Sequence, residues 1–278
     1  MSRLLGFFAV LGMLAHSAPA AEADKPPKSA LVDSSEIVGT EVHDLDRKPI
    51  GEFVELVASK EGRILYAIVA DHFALTLATE LRAIPYEAMS ITISEVDGQR
   101  QVNATVSEAA LKALRKMPPL RDREMTQLGI HHWRKQVASL FKVDPPPETY
   151  TRADLFPTNE IVAASVHDMA GKELGAVDYL LVDQRGGSLG YVVVDDVISL
   201  VDSNLIPVPF DCVACDRTVD GSIQCRIDPV ARPLRKAPTI AAGDHSPFEK
   251  PEFVENVEGA FHKQKKIVGR STESLNAR

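Results

Sequence analysis

No stretch of this 278-residue chain carries an H-E-x-x-H, Walker or dinucleotide fingerprint, so several of the catalytic and nucleotide-binding chemistries most legible in a sequence have no sign here. The letters G-x-S-x-G do occur, at Gly186 to Gly190, but at the turn between two β-rich segments rather than between a strand and a helix. Positive charge is also short. Thirty-one Lys and Arg against 39 Asp and Glu give a formal net charge of −8, which offers nucleic acid or anionic lipid no general attraction. The densest basic run, His262-Lys263-Gln264-Lys265-Lys266, lies in a polar terminal stretch and reads as a solvated face. Aromatic residues make up only 6%, with a single Trp, yet apolar residues reach 45%. That balance suits one or two modest globular domains rather than a disordered chain. Cysteine is limited to Cys212, Cys215 and Cys225, so an oxidising compartment lets one pair close and leaves one thiol over.

A long apolar run is lacking as well. Leu4 to Ala15 falls well short of the roughly 20 residues a bilayer-spanning helix needs. With Arg3 before it and Ala18-Pro19-Ala20 after it, the run reads as a secretory signal peptide over residues 1–20. Ala21-Glu22-Ala23 offers a second cleavage site, so the mature start falls at Ala21 or Asp24. No cysteine stands near either site to carry a lipid. The expected location is periplasmic or secreted after cleavage, with residues 21–33 a flexible segment.

What the chain does have is a phrase said twice. VHDLDRKPIG begins at Val42 and VHDMAGKELG at Val166. Placing Glu36 against Glu160 sets an offset of 124 residues that runs without a gap from Ser34 to Met89. The identities include Ile37/Ile161, Val42/Val166, Gly51/Gly175, Leu56/Leu180, Gly62/Gly186, Val69/Val193, Asp71/Asp195 and Pro85/Pro209. Apolar, glycine and turn positions of this kind specify a backbone path and a core, so the repeat reads as a duplicated fold rather than a duplicated site. The match resumes at Val96-Asp97-Gly98 and Val219-Asp220-Gly221, a hairpin turn in each copy. Between turn and proline, the first copy has SEAALKALRK with Ser107 as N-cap, a short helix. The second has Pro229 and Pro233 there, which restrict any helix to a turn or two.

Inside each copy, short β-rich segments follow one another closely, as in a small closed or nearly closed sheet. Ile64 to Val69 and Leu189 to Val194 are apolar on both faces. One face fills the interior, and the other must be covered by the sister copy or another chain. The pattern E-I-V-G-x-x-V-x-D-x-x-x-x-x-I-G, followed by two strands and then Pro85-Tyr86 or Pro209-Phe210, resembles the PRC-barrel, a small β-barrel named from the photosynthetic reaction centre H subunit. The usual glycine of the first turn is present as Gly171 in the second copy but replaced at Asp46-Arg47 in the first. The resemblance implies a mainly β protein with PRC-like barrels at 34–118 and 158–238. A helix-containing linker at 119–157 and a flexible tail at 239–278 complete this division. It also implies a scaffold or adaptor, as an analogy of fold.

The chemistry-bearing residues each have a simpler structural use. His43-Asp44 and His167-Asp168 suggest a metal or acid–base pair, but neighbours on a strand face opposite ways. The aspartates are expected to satisfy turn amides. Cys215 and Cys225 flank the Val219 to Gly221 turn and are expected to form a cross-strand disulfide. A closed zinc site needs four ligands, and the later histidines, His245 and His262, fall in the tail. Asp183, Asp195, Asp196 and Asp202 have no calcium-loop spacing. Met125, Leu128, Trp133, Val137 and Phe141 recur at helical spacing and predict a packed helix between the copies.

These readings converge on a non-enzymatic binding or scaffolding protein of a bacterial envelope, with no cofactor and no metal. Its partner is another envelope protein or a second copy of the chain. Nucleic acid and small-molecule substrates are not expected, and peripheral membrane contact has no sequence support. The expected docking surface is the strand face of Leu65, Ala67 and Val69 in one copy and Val192 and Val194 in the other. The rival reading is a metal-binding or thiol redox protein using Cys212, Cys215 and Cys225, or the His43 and His167 pairs.

Overall fold

The computed structural model describes residues 31–71, 80–96, 99–121, 125–196, 205–227, 234 and 237–262. The expected signal peptide, the loops after Asp71 and Asp196, the Pro229–Pro233 stretch and Lys263 onward lie outside the described residues. No helix among the described residues is long and apolar enough to cross a membrane.

The fold is mainly β, built from two curled sheets of seven strands each. In the first copy the strands are β1 (Leu31–Asp33), β2 (Glu41–His43), β3 (Pro49–Ser59), β4 (Ile64–Asp71), β5 (Glu80–Pro85), β6 (Met89–Val96) and β7 (Gln99–Val106). Their counterparts are β8 (Leu155–Pro157), β9 (Ser165–Asp168), β10 (Glu173–Asp183), β11 (Ser188–Asp196), β12 (Leu205–Pro209), β13 (Val213–Arg217) and β14 (Ile223–Ile227). The order β5-β4-β3-β2-β7-β6 in one sheet is repeated as β12-β11-β10-β9-β14-β13 in the other. Neighbours run antiparallel except β2 with β7 and β9 with β14.

The long central strands, β3 and β10, carry bulges at matching places. Register shifts fall between Phe53 and Glu55 and between Val57 and Ala58, and again between Val177 and Tyr179 and between Leu181 and Val182. Bulges bend a strand and increase its twist, which curls each sheet. They also divide the strand's free edge, so that β2 pairs with the start of β3 and another strand must take its end.

That strand comes from the other copy. β8 pairs with β3 through Leu155↔Ser59, Phe156↔Ala58 and Pro157↔Val57. β1 pairs with β10 through Leu31↔Asp183, Val32↔Val182 and Asp33↔Leu181. The two sets are related by the same repeat, so each copy lends its first strand to its sister. The short helices α1 (Ser34–Ile37) and α4 (Thr158–Ile161) cross with them, and the chain then returns to its own sheet. Residues 31–33, expected to be flexible, and 155–157, expected to be linker, are therefore sheet strands in register with β10 and β3.

The hairpin tips meet across the same approximate two-fold. Ile64 N donates to Gly187 O at 2.8 Å, and Leu189 N donates to Gly62 O at 2.7 Å. Arg63 and Ser188 form a β-bridge on the axis. This pairing corrects the ungapped alignment. The second hairpin is one residue longer, so Tyr66 corresponds to Tyr191 and Val69 to Val194, because Gly51 pairs with Asp71 where Gly175 pairs with Asp196. The offset returns at Tyr66↔Pro85 and Tyr191↔Pro209. The expected Gly62/Gly186 and Asp71/Asp195 matches are displaced by that one residue.

Helix α2 (Glu108–Lys116) starts where Ser107 Oγ accepts from Ala110 N, and Arg82 Nη1 donates to the Leu114 and Met117 carbonyls at its end. Helix α3 (His131–Phe141) follows a 3-10 turn at Thr126–Gly129. It packs onto the outer face of the first sheet rather than between the copies. Met117, Leu120, Met125, Leu128 and Val137 cover Leu65, Tyr66, Ile68 and Ala83 there.

In the second copy, residues 240–262 take the corresponding place, contrary to the expected flexible tail. Ile240 bridges to Leu205, a 3-10 turn spans Ser246–Glu249, and helix α5 covers residues 251–262. Phe248, Val257 and Phe261 are buried. The Phe248 ring lies 4.9 Å from that of Tyr191, the counterpart of Tyr66. What looks like a linker and a tail are thus the outer layers of two copies.

The axis contact makes a sharp stability prediction. A Cβ at Gly62, whose φ is +84°, would sit 2.5 Å from Phe210 Cδ1, whereas one at Gly171, with φ +80°, would meet nothing within 4 Å. Gly62→Ala should cost about 2 kcal/mol or more, from strain plus overpacking. Gly171→Ala should cost about 1 kcal/mol, since Arg47 already holds the same left-handed conformation in the first copy, at φ 61°. Equal denaturant midpoints for the two variants would show that the axis is not tightly packed.

Candidate functional site

The expected docking residues do not form a surface. Ala67 and Val192 are 0% exposed, Val69 and Val194 1%, and Leu65 7%. The first four join the common core, while Leu65 lies beneath the α3 layer. A strand apolar on both faces carries no alternation to say which face points inward, and here Tyr66 and Ile68 point outward instead.

An apolar groove does lie open on α3. Pro118, Trp133, Val137 and Leu140 line an open groove of about 590 Å³, with His132, Lys135, Gln136 and Ser139 around it. Trp133 is held from below by Tyr66, ring centroids 6.2 Å apart and planes tilted by 60°. Helix α3 itself is fixed by the buried Arg134, which donates to the carbonyls of Leu128 at 2.9 Å and Tyr150 at 2.8 Å. An apolar floor with a polar rim, on a rigid helix, suits contact with another protein surface.

The paired histidines stay apart in role. Asp44 Oδ1 accepts from Asp46 N and Lys48 N, and Asp168 Oδ1 accepts from Ala170 N and Lys172 N, so both aspartates order their turns. His43 Nε2 meets Glu41 at 3.1 Å, and His167 Nδ1 meets Gln224 at 3.0 Å, each within its own sheet. Cys215 and Cys225 stand directly opposite on β13 and β14 and form a disulfide. Cys212, outside that bond, ends the 3-10 turn Phe210–Cys212, where its Sγ lies 3.6 Å from His262 Nδ1 on α5.

Asp211, Cys212 and His262 place their ligand atoms within 4.8 Å of one another, the one such group with metal-binding potential among the described residues. No local sequence signal joins them, because His262 lies 50 residues from Cys212.

Glu55 is not among the expected site residues, although a lone carboxylate in FVELVAS is a visible anomaly. It is 1% exposed, and its Oε1 accepts from Thr158 Oγ1 at 2.6 Å, Leu56 N at 2.9 Å and Asn159 N at 3.3 Å. Burial pushes its carboxyl above the usual 4.5, outweighing the hydrogen bonds from Thr158, Asn159 and Leu56 that act the other way. It therefore sits on the first copy's central strand and holds the start of the helix lent by the second.

No model of a known protein family matches this chain, and no curated protein matches it.

The titration of Glu55 has a definite sign. A carboxyl whose folded pKa is raised binds its proton more tightly in the native state, so stability is greatest below the unfolded value and falls as pH rises through the folded one. Glu55→Gln should remove this loss while keeping an Oε1 acceptor for Thr158. Denaturant midpoints measured from below pH 4.5 to neutrality should decline less in the variant than in the wild type. Parallel curves would mean that Glu55 does not titrate with folding.

Proposed function

We propose that the mature chain is a non-enzymatic binding or scaffolding protein of a bacterial cell envelope, exported by residues 1–20 and built from two PRC-like barrels. Its partner is another envelope protein or a second copy of itself. The sequence resemblance supports the barrel reading, as do the two sheets of identical strand order. The observation that carries the binding role is the α3 groove, an apolar floor left open beside a Trp already held by Tyr66. Aromatic anchors fixed in advance lose little freedom on association and dominate interface energetics.

The test places a bulky charge in the groove mouth without touching the core. Ser139 is exposed on α3, so Ser139→Arg should leave thermal unfolding unchanged. It should weaken association by about tenfold or more, or about 1.4 kcal/mol. Sedimentation velocity reads self-association, and capture from envelope extract followed by reconstitution with the purified partner reads hetero-association. Undiminished binding in both would remove the groove from the docking surface.

A further inference from the structure

We infer that Asp211, Cys212 and His262 form a binding site for a borderline-soft divalent cation of the Zn²⁺ class, separate from the α3 groove. The disulfide between Cys215 and Cys225 uses two of the three sulfurs, so the third enters the cluster as a thiol or thiolate. Its position is fixed from both sides. Pro209 ends β12 and the chain turns at once into Phe210–Cys212, which sets Asp211 and Cys212 side by side at the sheet's edge. His262 arrives on α5, whose buried Val257 and Phe261 hold the helix against the second copy.

The distances fit a metal. Bond lengths of about 2.3 Å to sulfur and about 2.0–2.1 Å to imidazole nitrogen place tetrahedral ligands about 3.5 Å apart. Sγ of Cys212 and Nδ1 of His262 are separated by 3.6 Å, Asp211 Oδ1 approaches the same ring at Nε2, 3.7 Å away, and one ligand atom from each of the three residues lies within 4.8 Å of the others. The other ring nitrogen is already engaged, since His262 Nε2 meets Glu258 Oε2 at 2.6 Å, one helical turn away. Tyr191 Oη in turn donates to Glu258 Oε1 at 2.9 Å. A carboxylate behind a ligating histidine fixes its tautomer and raises its basicity, here leaving Nδ1 for the ion.

The donor set defines the class of cation. One thiolate and one imidazole favour Zn²⁺ or Co²⁺ over Mg²⁺ or Ca²⁺, whose preferred ligands are all oxygen. Three protein ligands leave a coordination position for water or for a side chain from a partner. Asp211 and His262 are part-exposed, at 61% and 38%, so an ion reaches them from solvent. Binding would clamp α5 to the sheet it covers, so cation concentration would set how firmly the second copy keeps its outer layer.

The experiment uses the full chain with its disulfide intact, stripped with a chelator and titrated with Co²⁺ alone. The expected result is one equivalent bound, with a thiolate-to-cobalt charge-transfer band in the near ultraviolet. Cys212→Ser should abolish that band. His262→Ala and Glu258→Gln should each weaken binding by about 10- to 100-fold. Asp211→Asn, at the most exposed ligand, should weaken binding without altering the far-ultraviolet circular dichroism. Zn²⁺ alone should raise the melting temperature of the wild type more than that of any variant. No band at saturating Co²⁺, or a band that survives Cys212→Ser or is unaffected by His262→Ala, overturns the assignment. Rapid alkylation of Cys212 that slows in His262→Ala, without stoichiometric metal, also overturns it and identifies a thiol–imidazole pair instead.

Discussion

Everything in this structure depends on the mutual loan of one strand. β3 and β10 are eleven residues long, far longer than the three- and four-residue strands β2 and β9 that pair with their first halves. The remaining edge would expose unpaired amides and carbonyls beside a hydrophobic interior, a combination that is costly when buried and prone to aggregation when open. Each copy closes its sister's edge with its own first strand. Neither sheet is complete alone, so the two copies fold as one body although they read as two domains.

The loan also explains where the repeat is strict and where it is free. The bulges, the Pro-aromatic corners and the hairpin tips recur because they lie on the strand exchange or on its axis. Phe210 closes over Gly62, and Tyr86 approaches Gly187, with a Cβ there 3.3 Å from its ring. Turns away from the axis diverge: Arg47 is left-handed where Gly171 stands in the second copy, and Ala163 where Gly39 stands in the first. Such residues persist in that conformation only when surrounding contacts outweigh roughly 1–2 kcal/mol of strain. The backbone path has therefore outlasted the residues that would make it easy.

The copies differ most in what covers their outward strands, and there they acquire separate chemistry. The first is roofed by α3, which leaves an apolar groove beside Trp133. The second is roofed by α5, which brings an imidazole to a thiol and a carboxylate. At the exchange itself the first copy buries Glu55 beneath α4, whereas the second has Tyr179, whose ring lies 5.5 Å from that of His245. Duplication supplied a frame in which one position holds a buried carboxyl group and its twin an aromatic ring.

Much of the frame was legible in the sequence. The repeat, its β character, the Ser107 cap, the turn aspartates and the cross-strand cysteines all follow from local signals: periodicity, turn chemistry and residues opposite one another across a hairpin. Those signals act over a few residues, and the sequence by itself determined them. It could not determine which face of Ile64–Val69 turned inward, because a strand apolar on both sides has no period to read. Nor could it show that Leu31–Asp33 and residues 240–262 were ordered, because three extended residues or a half-polar helix have no stability apart from the surface they cover. Strand exchange, the outer layers and the meeting of Cys212 with His262 were decided by tertiary structure alone, since only burial against a distant part of the chain offsets the entropy of ordering such short segments.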